Sequence, residues 1–485
     1  MKRLAVLALL LSTACSSTKS ITNLDRFIEK TIQAIPEVPS VGVAVVRDGR
    51  PYYVRGVGMR DREHQTPADA LTGYYIGSTT KAFTGLACAM LAQQGKLDLD
   101  APISRYLPEV TSQNVTLRAF LTHTSAIEND AIVFRTAFSG EHTPQQLVAL
   151  LQSSKSRKPG FQYDNLGYVV ASLIIERITG RPWQKVLDEM LFTPLGMNHT
   201  SAYMSEASNW PIASPYQADK KGELALLDFM KNDQMMHAAG GIVTTPADLA
   251  RWLEANITKG RVDGRQILPA AAFEEAQRMQ VPAVIERADF KSSGYGFGWY
   301  QGMYDGDNVL FHGGGFEGWN TFYSFMPEKK IGVGVMTNAS GPVTAVLAMI
   351  SEYAYDSLLE KPDVESKYAD RLAKLAANIK QRKAAYAADV EKRSKRQWML
   401  QHPNAAYAGR FDNPLYGTLT IEQQGNALQA SIGRLRSVLE AFTEPESARV
   451  ELIPGTGEVL RFQIGSDGNA ETLRWRDEVF RRIPQ

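Results

Sequence analysis

Ser78 and Lys81 stand three positions apart in "IGSTTKAFTGLACAMLAQQGKL", residues 76–97. On a helix that spacing puts the hydroxyl and the amine on one face, one turn apart. A serine hydroxyl is a poor nucleophile until a base lies within hydrogen-bond reach. The pair therefore has the composition of a nucleophile with its own base. The motif is short, and Ser16 with Lys19 matches it by chance. Context separates the two. Ser78 follows Gly77 and opens an apolar stretch. A helix start there supplies unpaired backbone N–H groups and a field that favours a developing oxyanion.

Two further clusters carry chemistry. In "KPGFQYDNLGYVVASLIIERITG", Tyr163 is the one tyrosine of the chain with Asn two places on, at Asn165. In "LFHGGGFEGWNTFYSFMP", His312 is the one histidine with Gly two places on. Three glycines follow it and then a strand pattern, which suits a backbone edge that approaches a ligand closely. An unperturbed tyrosine titrates near ~10 and is a poor base at neutral pH. A cation about 4 Å away is worth roughly 4 kcal/mol at an effective dielectric of 20. That corresponds to about three pKa units before desolvation opposes it, so Lys81 beside Tyr163 is expected to bring the phenol into a useful range. His123, in "LTHTS", has no catalytic partner in the sequence and reads as structural. Cys88 reads as a buried small hydrophobe, and Tyr295 and Trp319 read as core aromatics, with a place in the wall of the site as the alternative.

The elements that must position these residues follow from pattern. "SVGVAVVRDGRPYYVRGVG" predicts two strands around an Asp48-Gly49 turn. "KAFTGLACAMLAQQG" predicts a helix with Phe83, Leu86, Ala87 and Met90 on one face, closed by Gly95. "TPQQLVALLQSS" and "TPADLARWLEANI" predict helices opened by a Thr cap and Pro. "FEGWNTFYSFMPEKKIGVGVMTNAS" predicts two strands joined at Pro327–Lys330. Residues 361–400 are rich in Ala, Lys and Arg and predict a helical basic linker whose charge is a solvated face. Residues 401–485 hold short strands with turns at Gly425-Asn426 and Asp467-Gly468, a small antiparallel β-domain expected to form a barrel.

A chain of 485 residues exceeds one typical domain, and 44% hydrophobic with 22% charged residues is ordinary globular composition. The net charge of +1 gives no electrostatic reason to expect nucleic acid as a partner. There is no Walker-type glycine loop and no paired Cys-x-x-Cys, so neither a phosphate cradle nor a zinc cluster is expected. Residues 1–20 start with Lys2 and Arg3, continue in an apolar run too short to span a bilayer, and end in small residues. That is the pattern of a secretory signal. "LSTAC" resembles a bacterial lipobox and makes Cys15 a candidate lipid anchor. An ordinary cleaved signal is the alternative, because Ser12 stands where leucine is commonest. The protein is expected to be exported, in the periplasm or tethered to a membrane of a bacterial envelope.

In this order, the three clusters resemble the motifs of the penicillin-recognising serine enzymes, most like the branch of class C β-lactamases, D-peptidases and β-lactamase-like esterases. "TLRAFLTHTSAI", "AAGGIVTTPADLARWL" and "GYGFGW" also look like stretches of that family. The resemblance implies an α+β domain over residues 21–360, an antiparallel sheet flanked by helices with a helical subdomain. It implies a lipocalin-like β-domain after it. It implies that Ser78 is the acylated nucleophile, that Lys81 takes its proton or holds the local field, and that Tyr163 is general base and then acid. Asn165 would hold Lys81 and the substrate amide, His312 and Gly314 would line the substrate strand, and the N–H groups of Ser78 and Gly315 would form the oxyanion hole. No metal or organic cofactor is implied, and the partner is a small molecule or short peptide. The third motif of β-lactamases usually begins with Lys, where this chain has His312, so β-lactam turnover is expected to be weak or absent. A reading of another class is an envelope protein that binds wall fragments or β-lactams without turnover.

Overall fold

The computed structural model describes residues 21–111, 114–341 and 343–484. The signal-like segment, Cys15 included, lies outside the described residues. Helix α1 spans residues 21–34. Strands β1 (Ser40–Arg47) and β2 (Arg50–Asp61) follow, then helices α2 (Thr80–Gln93), α3 (Leu166–Thr179) and α4 (Pro246–Ile257). Strands β3 (Phe290–Tyr295), β4 (Tyr300–Tyr304), β5 (Asp307–Phe316), β6 (Trp319–Met326) and β7 (Ile331–Thr337) come next, before helices α5 (Thr344–Leu358) and α6 (Val364–Ser394). Asp48 and Gly49 both take positive φ, 53° and 71°, which fits the tight twist of a two-residue hairpin.

The central sheet is antiparallel throughout. Its order runs from Val281–Pro282 through β3, β4, β5, β6 and β7 to β1, β2 and Thr66–Pro67. The chain's first strand thus pairs with β7, Val43 opposite Val335. Strand β1 is apolar on both faces because both faces are covered. Val41, Val43 and Val45 join a core with α1, α5 and α6, while Ala44 and Val46 join a core with α2, α3 and α4.

Two elements differ from their sequence patterns. In α2 every residue from Thr80 to Leu91 is buried, not one face, because the helix runs between α3 and Ala270–Gln277 through the middle of the domain. The long helix α6 is not solvated all round. Tyr368, Leu372 and Ile379 form a buried stripe, and the Phe27 ring meets Tyr368 edge-on at 5.8 Å. No helix among the described residues is long and apolar enough to cross a membrane.

The C-terminal domain is a nine-strand antiparallel sheet that curls into a nearly closed barrel. Its two edge strands, Leu435–Val438 and Glu440–Ala441, are separated in the chain by Leu439 alone. Alternating residues such as Leu428, Ala430 and Ile432 fill its interior. Ala131 and Phe134 of the first domain complete that core, with Phe134 5.3 Å from Trp475 and 5.5 Å from Tyr416. Arg135 Nε donates to the Leu415 carbonyl. Phe134→Ala is expected to cost about 3–5 kcal/mol and to lower the thermal midpoint of barrel unfolding followed by Trp475 fluorescence.

Candidate active site

Ser78 lies in a single 3-10 turn, Gly77–Thr79, that feeds α2. Gly77 takes φ 53°, and a methyl group there would come within 2.7 Å of the Gly315 nitrogen. A methyl at Gly314 would lie 2.0 Å from the Ile76 carbonyl oxygen and 3.1 Å from the Ser78 nitrogen. The end of β5 therefore presses backbone to backbone on the turn that carries Ser78, which is the reason for the glycine run. Gly315 turns its nitrogen and carbonyl toward Gly77, beside Ser78. An oxyanion between the two N–H groups would meet both donors.

Lys81 is fully buried. Its Nζ lies 3.2 Å from Ser78 Oγ, 2.7 Å from Asn165 Oδ1 and 2.9 Å from the Ala239 carbonyl oxygen. Desolvation pushes its pKa down to about 7, with Asp164 opposing. The contacts suit the neutral amine. Asn165 Oδ1 and Ala239 O accept only, so they take its two N–H groups and aim its lone pair at the Ser78 hydroxyl.

Tyr163 lines the cleft and is 40% exposed as a residue. Lys81 Nζ stands 4.8 Å from its ring centre. Desolvation nevertheless raises the phenol well above its ordinary value, with Ser78 and then Arg287 opposing. The expectation that Lys81 lowers this phenol fails for a physical reason. The phenol's own loss of solvent outweighs the cation and hydrogen bond that favour its charged form.

The two histidines belong to one chain of hydrogen bonds. His123 Nδ1 accepts from the Asp164 N–H at 3.3 Å, which leaves Nε2–H to donate to Tyr295 Oη at 3.2 Å. Tyr295 in turn reaches His312 Nε2 at 3.3 Å, and His312 Nδ1–H donates to the Gly313 carbonyl at 2.7 Å. Burial drives His123 down to about 4 and His312 well below its ordinary value, so both are neutral. His123 also packs at 4.5 Å against the Tyr163 ring. It is thus a structural residue that supports the site directly, and Tyr295 links the two motifs.

Ser78, Tyr163, Asn165, His312, Gly314 and Gly315 line two pockets that share Ser78 and Gly315, and Lys81 lies buried against Ser78 and Asn165. Residues with no sequence motif join them. Arg287 lies over the β5 backbone, so close that a methyl at Gly313 would overlap its guanidinium, and among the described residues it has no ion-pair partner. Glu317, His237 and the barrel loop Pro454–Thr456 line the other side of Ser78. Among the described residues no group of three or more His, Cys, Asp or Glu is placed to hold a metal.

The beta-lactamase family profile matches residues 28–352. The chain belongs to the beta-lactamase family. It is similar to the protein flp of Staphylococcus aureus strain N315, 25% identical over 326 residues, a match that covers 65% of this chain and 62% of flp. It is also similar to the putative penicillin-binding protein PbpX of Bacillus subtilis strain 168, 28% identical over 352 residues, covering 71% of this chain and 82% of PbpX. Among solved structures, the octameric penicillin-binding protein homologue of Pyrococcus abyssi superposes with TM-score 0.61 at 24% identity, over 96% of this chain and 100% of its own. The D-amino acid amidase of Ochrobactrum anthropi SV3 superposes with TM-score 0.57 at 22% identity, over 70% of this chain and 99% of its own. At those identities the two structures show the shared fold.

Proposed function

We propose that the protein is an exported serine hydrolase that cleaves an amide or ester through an acyl-enzyme on Ser78, acting on D-amino-acid peptides or small esters. The observation that carries the reading is the placement of Lys81 Nζ against Ser78 Oγ by two pure acceptors. Ser78 Oγ attacks the substrate carbonyl carbon as its proton passes to Lys81. The carbonyl π pair moves to oxygen, where the N–H groups of Ser78 and Gly315 stabilise it. As the tetrahedral centre collapses, the bond to the leaving nitrogen or oxygen breaks and Tyr163 gives that atom a proton. Lys81 then gives the proton it took to the Tyr163 phenolate. Water attacks the acyl carbon as its proton passes to Lys81. The bond to Ser78 Oγ breaks with a proton from Tyr163, the acid leaves, and the Lys81 proton again returns to Tyr163. Tyr163 is suited to the acid role because its phenol stays protonated. Export rests on the sequence of residues 1–20.

The acid-quenched mature protein, incubated with p-nitrophenyl acetate or benzylpenicillin, should gain an acyl mass on Ser78 with the ester. Turnover of benzylpenicillin is expected to be slow. Ser78→Ala should lose at least about 10³-fold in turnover with an unchanged unfolding midpoint. Activity that survives the change would overturn the reading.

Arg287 supplies the cation that the third motif lacks, on the Tyr163 side where the leaving group departs. Arg287→Ala is expected to raise KM about tenfold for a peptide with a free C-terminal carboxylate, as the loss of a charged hydrogen bond requires. Its C-terminal amide should change little in the same assay.

A further inference from the structure

Arg287 reaches the Ser78 cleft from a hairpin outside the three motifs. Its guanidinium lies over the β5 backbone at Gly313 and 5.9 Å from the centre of the Phe322 ring. Among the described residues no ion pair fixes that charged end. The place of the cation is therefore set by the backbone beneath it.

That backbone is a tight turn. Glu286 and Arg287 pair with Lys291 and Phe290, and Ala288 takes φ 52° between the two arms. The open end is tied to Ser292. The Ile285 N–H donates to Ser292 Oγ at 2.9 Å, and the Ser292 N–H donates to the Ile285 carbonyl at 2.9 Å. The closed end is held from outside, by two helices. The Asp289 N–H donates to Glu352 Oε1 of α5 at 2.9 Å. Arg371 Nη1 of α6 donates to Asp289 Oδ2 at 2.9 Å, and its Nη2 donates to Glu352 Oε2 at 2.5 Å. One guanidinium thus spans both carboxylates, which its rigid fork allows.

The two contacts of Arg371 differ in weight. Asp289 is exposed, and an exposed pair holds little. Glu352 is fully buried, and Arg371 is its only ion-pair partner among the described residues. A buried carboxylate keeps its charge only while it is paired. Lys361 and Lys367 are already engaged by Asp356, one turn further along α5. Arg371 therefore keeps Glu352 ionised, and the ionised carboxylate grips the Asp289 N–H more strongly than a neutral one would. The grip passes from α6 through the turn to Arg287.

We propose that Arg371 is a positioning residue for substrate recognition: with Glu352 it fixes the turn that carries Arg287, and so sets the preference for substrates with a free C-terminal carboxylate. This rests on the hydrolase reading above and on Arg287 as its carboxylate reader. Helix α6 thereby acts in specificity as well as joining the two domains.

The first test is kcat/KM for D-alanyl-D-alanine and for its C-terminal amide, read as the acid-to-amide ratio. Arg371→Ala is expected to lower that ratio about 3–10-fold, at most the loss expected for Arg287→Ala, with the amide little changed. Asp289→Ala leaves Glu352 its cation and should lower the ratio about 2–5-fold, the scale of an exposed pair. It decides the matter if Arg371→Ala does not fold. Neither change should lower the ratio further in the Arg287→Ala background, because both act through that residue. Equal losses for acid and amide, an unmoved ratio, or a further fall without Arg287 would overturn the proposal. The second test is calorimetric binding of the same two peptides to Ser78→Ala, which needs no turnover. Tighter binding of the acid, reduced when Arg371→Ala or Asp289→Ala is added, supports the positioning role even if wild type hydrolyses neither peptide and the hydrolase reading fails. No preference for the acid in that titration overturns it even if Ser78 proves to be acylated.

Discussion

Replacing Lys81 with Met is expected to lower kcat/KM toward p-nitrophenyl acetate by about 10³-fold, the scale of a lost general base. It is also expected to remove a rise in wild-type activity as the pH passes through about 7. The sign follows from the direction of the shift. Burial lowers the Lys81 pKa from its ordinary value to about 7, so above that pH the folded protein holds the neutral amine. The neutral amine is the form whose lone pair faces Ser78 Oγ while Asn165 and Ala239 take its protons. The wild-type profile should therefore climb through about 7, and the variant's residual activity should not. Stability carries the same signature. Between about 7 and the ordinary lysine range, the unfolded chain binds the proton that the folded chain has released. Wild-type stability thus rises with pH across that window, and the cost of the buried amine is fully present below it. Lys81→Met has no such group, so its unfolding midpoint should improve relative to wild type as the pH falls from about 9 to about 6. A Lys81 that served only to pack α2 would move neither the activity limb nor this difference.

The part of the site that could be read from sequence is the part encoded by short spacing. Ser78 with Lys81, Tyr163 with Asn165, and His312 with its glycines are each a local pattern, and their positions on a turn, a helix start and a strand end follow from local backbone rules. Pairwise charge was legible too, in that Lys81 does stand near Tyr163. Desolvation was not, because it depends on everything packed around a group, and it reverses the direction of the Tyr163 shift. The same limit hid the second set of site residues. Arg287, Glu317 and His237 have no motif; each is one polar residue on a loop or strand end. Glu317 and His237 each hold a buried atom without a hydrogen-bond partner, and Arg287 is marked by how closely it lies over the Gly313 backbone, all properties of the folded surroundings. His123 was legible as a residue type but not as a link, since its partner Tyr295 lies 172 positions away. In α6 the Lys and Arg content masked Tyr368, Leu372 and Ile379, because three apolar side chains suffice to dock a helix whose other faces are wet.

Gly314→Ala is expected to lower kcat about 10²–10³-fold, the scale of a lost oxyanion donor, with little change in KM. The added methyl has nowhere to go. It would lie 2.0 Å from the Ile76 carbonyl oxygen and 3.1 Å from the Ser78 nitrogen, both backbone atoms that cannot rotate aside. Relief must come from β5 moving away from the Gly77–Thr79 turn, and that separates the N–H of Gly315 from the N–H of Ser78. The pair of donors loses its common focus while Lys81, held by Asn165 and Ala239, keeps its place. A cost of about 1–3 kcal/mol in stability should accompany the change, as for other overpacked sites. Gly315→Ala provides the contrast on the next residue. Its methyl would first meet the Asn320 side chain at 3.1 Å, and Gly315 is exposed to the cleft. That variant should unfold close to the wild-type midpoint. The readout is therefore a pair: midpoints from thermal unfolding and the rate of Ser78 acylation by p-nitrophenyl acetate. If Gly314→Ala acylates as fast as wild type, the backbone contact between β5 and the Ser78 turn does not set the oxyanion hole.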